Sequence, residues 1–194
     1  MTRLGLTVIC LTGLTAVPAA QRGPAPGAVH VPADVIALAC APKAVYEMPA
    51  RPLRITGGQD AVARRIYAPG DLVTNNAGTD NGIDVGQEYF VRRVQVEGTE
   101  TVSRATPGNI QTVGWIRVWA VDEEMSLATI SHACDTIDVG DYLEPLVLPA
   151  VPAPHVVVGK AQRSNYGRIM FGIDRRRSFG LRDYFTVDRG SDQR

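Results

Sequence analysis

Short apolar runs of alternating character, each closed by Gly, Asn or Asp, recur from Arg54 to Pro145 and predict an all-β chain. The clearest strands are Asp71–Thr74, Tyr89–Val96, Trp115–Val121 and Leu127–Ser131, with a last one near Tyr142-Leu143. In the third, Ile116, Val118 and Ala120 fall on one face, and Trp115, Arg117, Trp119 and Val121 on the other. Asp122-Glu123-Glu124-Met125 is placed to turn that strand back into Leu127-Ala128-Thr129-Ile130 as a hairpin. The stretch Asn75 to Gly82 is dense in residues that tolerate positive φ and reads as a loop. Val35–Ala39 predicts a short first strand, after which Pro42, Pro49 and Pro52 favour extended chain along an edge. One short helix is expected around Asp60–Ile66, where Ala61-Val62-Ala63-Arg64-Arg65 favours it. Antiparallel modules of this size close on themselves because closure removes exposed strand edges. The expectation is therefore a small closed or partly open antiparallel barrel, of SH3 or OB size, over residues 34–145.

The pattern then starts again. Arg54-Ile55-x-x-Gly58-x-Asp60 returns as Arg168-Ile169-x-x-Gly172-x-Asp174, and the run from Asp71 to Asn81 returns as Asp183 to Gln193. Between the copies, residues 146–154 are rich in proline and read as an extended linker. Residues 155–194 are expected to be an incomplete second copy, which cannot bury a core by itself.

At the other end, Arg3 precedes the apolar run Leu4 to Val17, and Val17-Pro18-Ala19-Ala20 supplies the small residues of a cleavage site. Residues 1–20 are expected to be an export signal and 21–33 a flexible leader. The apolar run is too short to span a bilayer, so no membrane span is expected. Export changes the reading of the cysteines. Cys40 and Cys134 remain in the mature chain, and in an oxidising compartment such a pair is most simply a disulfide. It would close a loop of 94 residues, a constraint that chain-entropy models value at about 4 to 5 kcal/mol. The competing reading makes Cys134, two residues after His132, a nucleophile.

Charge is balanced overall but not in its distribution. Residues 1–154 hold 11 Lys and Arg against 16 Asp and Glu, a net of −5, while residues 155–194 hold 9 against 4, a net of +5. The basic end centres on Arg175-Arg176-Arg177. It reads as a solvated charged run rather than a binding site, and an exported protein is not expected to meet nucleic acid.

Familiar catalytic signatures are missing: no Gly-x-Ser-x-Gly, no His-Glu-x-x-His, no phosphate-binding glycine loop and no Cys-x-x-Cys. His132 and Cys134 lack further ligands nearby in sequence, so neither a metal nor a cofactor is expected. The Asn75–Gly82 loop fails the EF-hand pattern, and Asn76, Asp80 and Asp84 read as turn caps, with a looser oxygen cage as the alternative. Glu123 and Glu124 are adjacent and point apart, so they cannot flank one bond. Asp71 and Asp141 each follow a glycine, and their carboxylates are expected to bond turn N–H groups. The binding-site candidate is Trp115-x-Arg117-x-Trp119, two indoles and a guanidinium on one strand face. That face either stacks on sugar rings or is the packed one.

From Tyr67 to Pro145, Gly-Asp turns lead to a central Gly86-Gln87-Glu88-Tyr89 strand and a closing Gly140-Asp141-Tyr142-Leu143-Glu144-Pro145. This arrangement resembles the C-terminal β-barrel domain of the flagellar assembly protein T and the regions that follow LysM repeats in exported bacterial proteins. The resemblance implies a β-barrel module and carries over no catalytic residue. The functional expectation is a non-enzymatic exported binding or structural module of the cell envelope, with cell-wall glycan or another envelope protein as partner. The alternatives are a cell-wall glycan hydrolase whose carboxylates meet only in the fold, and a truncated gene product without function.

Overall fold

A computed structural model describes residues 31–60, 62–96, 102, 107–153, 166–172, 178–181 and 183–189. The expected export signal, residues 21–30 of the leader and the Arg175–Arg177 triplet lie outside them. The chain divides into two units at residues 30 and 31, and the architecture below is that of the second.

The all-β expectation holds. One helix, α1 (Ala33–Ala39), precedes β1 (Lys43–Val45), β2 (Ile55–Gly58), β3 (Ile66–Tyr67) and β4 (Leu72–Asn75). A single 3-10 turn at Thr79–Asn81 leads to β5 (Glu88–Gln95), β6 (Gly108–Val121), β7 (Ser126–Ala133), β8 (Ile137–Asp138) and β9 (Tyr142–Pro145). Further on come β10 (Ile169–Gly172) and β11 (Phe185–Val187).

The main sheet is antiparallel with the order β2-β4-β7-β6-β5-β9, and β1 pairs with the first residues of β6. Among the described residues no continuous ladder closes it, so the barrel is partly open. Its first and last strands are nevertheless tacked together by one bridge, Arg54 to Tyr142. Three backbone bonds flank it: Leu143 N–H to Leu53 O at 3.0 Å, Ile55 N–H to Asp141 O at 2.9 Å, and Gly140 N–H to Ile55 O at 2.8 Å. The inner face holds Ile55, Val73, Tyr89, Val91, Ile116, Val118 and Ile130, all buried together.

Two local expectations are corrected. Val35–Ala39 lies within a helix rather than forming a strand. Five apolar residues cannot declare their period alone, but Ile36, Ala39 and Cys40 stand at i, i+3 and i+4, and all three pack into one outer cluster. Conversely, the described residues of the expected Asp60–Ile66 helix are irregular up to β3, which begins at Ile66. Its described residues before β3 are exposed, Val62 at 77%, so a helix there would have no apolar face to bury.

The β10–β11 pair has the register of β2–β4. Ile55, Gly57 and Gly58 oppose Asn75, Thr74 and Val73, with an irregularity between Ile55 and Gly57. Ile169, Phe171 and Gly172 oppose Val187, Thr186 and Phe185, with the irregularity between Ile169 and Phe171. Closing bonds correspond as well. Asn76 N–H reaches Arg54 O at 3.2 Å while Arg54 N–H reaches Asn76 Oδ1 at 2.7 Å. Asp188 N–H reaches Arg168 O at 3.0 Å while Arg168 N–H reaches Asp188 Oδ1 at 2.7 Å. Gly58 lies under the ring of Tyr67, and Gly172 under the ring of Phe179.

Candidate functional site

The face of the sheet away from the barrel interior carries the predicted Trp-Arg-Trp strand. Ile116 and Val118 point inward, so Trp115, Arg117 and Trp119 emerge outward. The structure then separates the three. Trp115 is 5% exposed, roofed by Ile36, Ala39 and Cys40 of α1 and its cap, and by Leu146. Phe90 meets it edge-on at 6.1 Å, and the His132 ring stacks on it at 4.2 Å with a 20° interplanar angle. Both aromatics of the Tyr89-Phe90 pair are buried, Tyr89 in the barrel and Phe90 in this outer cluster.

Trp119 is 68% exposed. It is the extra residue of a β-bulge, since Val118 and Ala120 oppose Ala128 and Leu127 with Trp119 between them. A bulge re-aims the side chain it carries, and this one stands exposed. Arg117 lies outside the roof as well. Its Nη2 meets Glu88 Oε1 at 2.8 Å and its Nε donates to the same oxygen at 3.0 Å. Glu88, Arg117, Thr129 and Leu72 form one row across four strands. Sequence reasoning missed Glu88, because its place opposite Arg117 depends on the strand register.

Cys40 and Cys134 are joined as a disulfide, with Cα atoms 5.8 Å apart and a sequence separation of 94. The bridge ties the cap of α1 to the chain just beyond β7, over Trp115. His132 stands beside it, and burial pushes its pKa below the ordinary value. The cysteine count already pairs Cys40 with Cys134, and the His132–Cys134 spacing is plain in the sequence, but only the fold shows that His132 stands close to both sulfurs.

The acidic residues fall into turns. Ala68-Pro69-Gly70-Asp71 is a type II turn with Gly70 at φ +90°. Asp71 N–H donates to Ala68 O at 3.0 Å, and Ala68 N–H donates to Asp71 Oδ2 at 2.9 Å. That backbone bond lowers the Asp71 pKa, with help from Arg64. Asp141 repeats the arrangement, accepting from Asp138 N–H at 2.8 Å after Gly140 at φ +97°. Arg93 also grips Asp141 bidentately, with both bonds at 2.7 Å. Burial pushes the Asp141 carboxyl up, and the Arg93 guanidinium, itself raised by that hydrogen bond, opposes the push. Asn76 does not cap its own turn but reaches across to Arg54 N–H and Pro52 O.

Compared with protein families, with curated proteins and with solved structures, the chain matches none of them.

Proposed function

We propose that the protein is a non-enzymatic, exported binding module of the cell envelope that contacts glycan through Trp119, with Arg117 and Glu88 beside it. The observation that carries this reading is the exposure of Trp119, 68%, on a strand otherwise buried along most of its length. An indole face is electron-rich and apolar, so it suits the C–H face of a sugar ring, while a neighbouring guanidinium and carboxylate suit its hydroxyls. Both neighbours sit on paired strands, so little conformational entropy is lost when a ligand binds. Export is supported by the Cys40–Cys134 bridge, which persists in oxidising compartments. Among the described residues no helix is long and apolar enough to cross a membrane.

Tandem copies of one module fit this role, because linked sites raise the effective concentration of the second contact. The shared register and matching closing bonds of β2–β4 and β10–β11 support reading the latter as the opening of a second copy.

The test is retention on insoluble peptidoglycan. The parent should be retained, and Trp119→Ala, checked for an unchanged far-UV spectrum, should lose at least about tenfold in affinity, as buried aromatic anchors commonly do. Arg117→Ala should lose less. A parent that passes through unretained, or a folded Trp119→Ala that binds as well, refutes the reading.

A further inference from the structure

Three metal-ligating side chains converge outside the barrel. The Sγ atoms of Cys40 and Cys134 and a ring nitrogen of His132 all lie within 4.8 Å of one another. His132 lies near the end of β7 and Cys134 just beyond it, and Cys40 arrives from the cap of α1. Each is anchored independently of the sulfur–sulfur bond. Cys40 N–H donates to Ile36 O at 2.9 Å, Cys134 N–H donates to Val113 O at 2.9 Å, and the imidazole is stacked on Trp115.

Two thiolates and an imidazole form a donor set for zinc with a fourth position left open, and a poor one for calcium or magnesium, which take oxygen. Zinc arms of about 2.0 to 2.3 Å place donors about 3.3 to 3.8 Å apart. Relative to a bonded pair, the sulfurs need to part by about 1.7 Å, within reach of side-chain rotation.

We propose that this cluster is a two-state site: a disulfide when oxidised, and a zinc site held by Cys40, Cys134 and His132 when reduced. An external dithiol gives two electrons and two protons to the bridge and becomes a disulfide itself, leaving Cys40 and Cys134 as thiols. Zinc binding then releases one proton from each thiol to solvent, while His132 binds as the neutral imidazole and releases none. Either state clips α1 over Trp115, so the roof of the outer cluster survives a change of redox conditions.

The experiment uses the full chain, reduced anaerobically with a phosphine and titrated with Co2+ as a spectroscopic stand-in, then with Zn2+. One cobalt per chain should bind, with thiolate-to-cobalt charge-transfer absorption, visible bands of a tetrahedral ion and a changed Trp115 emission. Zinc should displace it, and the oxidised chain should show none of this. His132→Ala can still form the bridge and should keep the sheet spectrum of the parent when oxidised, melting somewhat lower because the stack on Trp115 is lost. When reduced, it should bind cobalt at least about 100-fold more weakly, since even supporting residues of a metal site cost up to that much. Cys40→Ser should abolish the charge-transfer band at stoichiometric metal. A reduced parent with no one-to-one band overturns the proposal. So does a His132→Ala variant that binds equally well, because the cysteines would then be acting without the folded site.

Discussion

At the scale of single residues, one turn design recurs. A glycine at positive φ is followed by an Asp or Gln whose side-chain oxygen accepts the N–H three residues before it. Gly70-Asp71 and Gly140-Asp141 are built this way, and so is Gly86-Gln87, where Asp84 N–H donates to Gln87 Oε1 at 3.1 Å. The device satisfies a donor at each strand entrance that would otherwise compete with the ladder. It separates two kinds of glycine. A Cβ at Gly140 would meet nothing within 4 Å, yet its φ of +97° strains any L side chain. Gly140→Ala should therefore cost about 1 to 2 kcal/mol in urea unfolding, through backbone strain alone. Gly57 has ordinary φ, and its Cβ would meet only Thr74 Oγ1 at 3.5 Å, so Gly57→Ala should be near neutral. Equal effects of the two substitutions would contradict this account.

At the scale of elements, what was legible in the sequence was alternation. β5, β6 and β7 alternate between a barrel face and an outer face; the predicted centres of β5 and β7 match the observed ones, and the prediction caught the second half of β6. The cysteine pairing was legible too, from the cysteine number and the expected export signal. The first seven residues of β6, Gly108–Gly114, and the bulge at Trp119 were not, because they depend on partners distant in sequence. The division of the Trp-Arg-Trp face was illegible for a related reason. All three residues share a face, but only α1 decides which part of it is roofed, and α1 itself read as a strand. That helix has seven residues, too few to persist without packing. Its hold on the sheet rests on Ile36, Ala39 and the bridge at Cys40. Cys40→Ser should lower stability by about 2 to 5 kcal/mol, and should shift Trp115 emission to the red before the β-sheet spectrum is lost. If emission and sheet signal change together, α1 is not a separable roof.

At the scale of the whole molecule, one hydrogen-bonding pattern occurs in two packing environments. Ile55 and Val73 of the first occurrence are 1% and 0% exposed, whereas their counterparts Ile169 and Phe185 are 51% and 44% exposed. Beyond β4 the first pair continues into β7, while among the described residues β11 pairs with β10 alone. One tie to the barrel is Thr186 Oγ1 donating to Pro42 O at 2.8 Å. Local sequence can thus specify a pairing register and its turn, but stability comes from the face that is covered, and an isolated two-stranded pair is marginal in water. Amide exchange should resolve the difference. The β4 amides bonded into the main sheet should exchange only on global unfolding, while their β11 counterparts should exchange through local opening, orders of magnitude faster under the same conditions. Phe185→Ser should leave the exchange of β4 to β7 unchanged, since nothing in the barrel core leans on it. Matched protection of β4 and β11 would mean instead that the second pair has found cover, and its slowed amides would mark the strand edge where that cover lies.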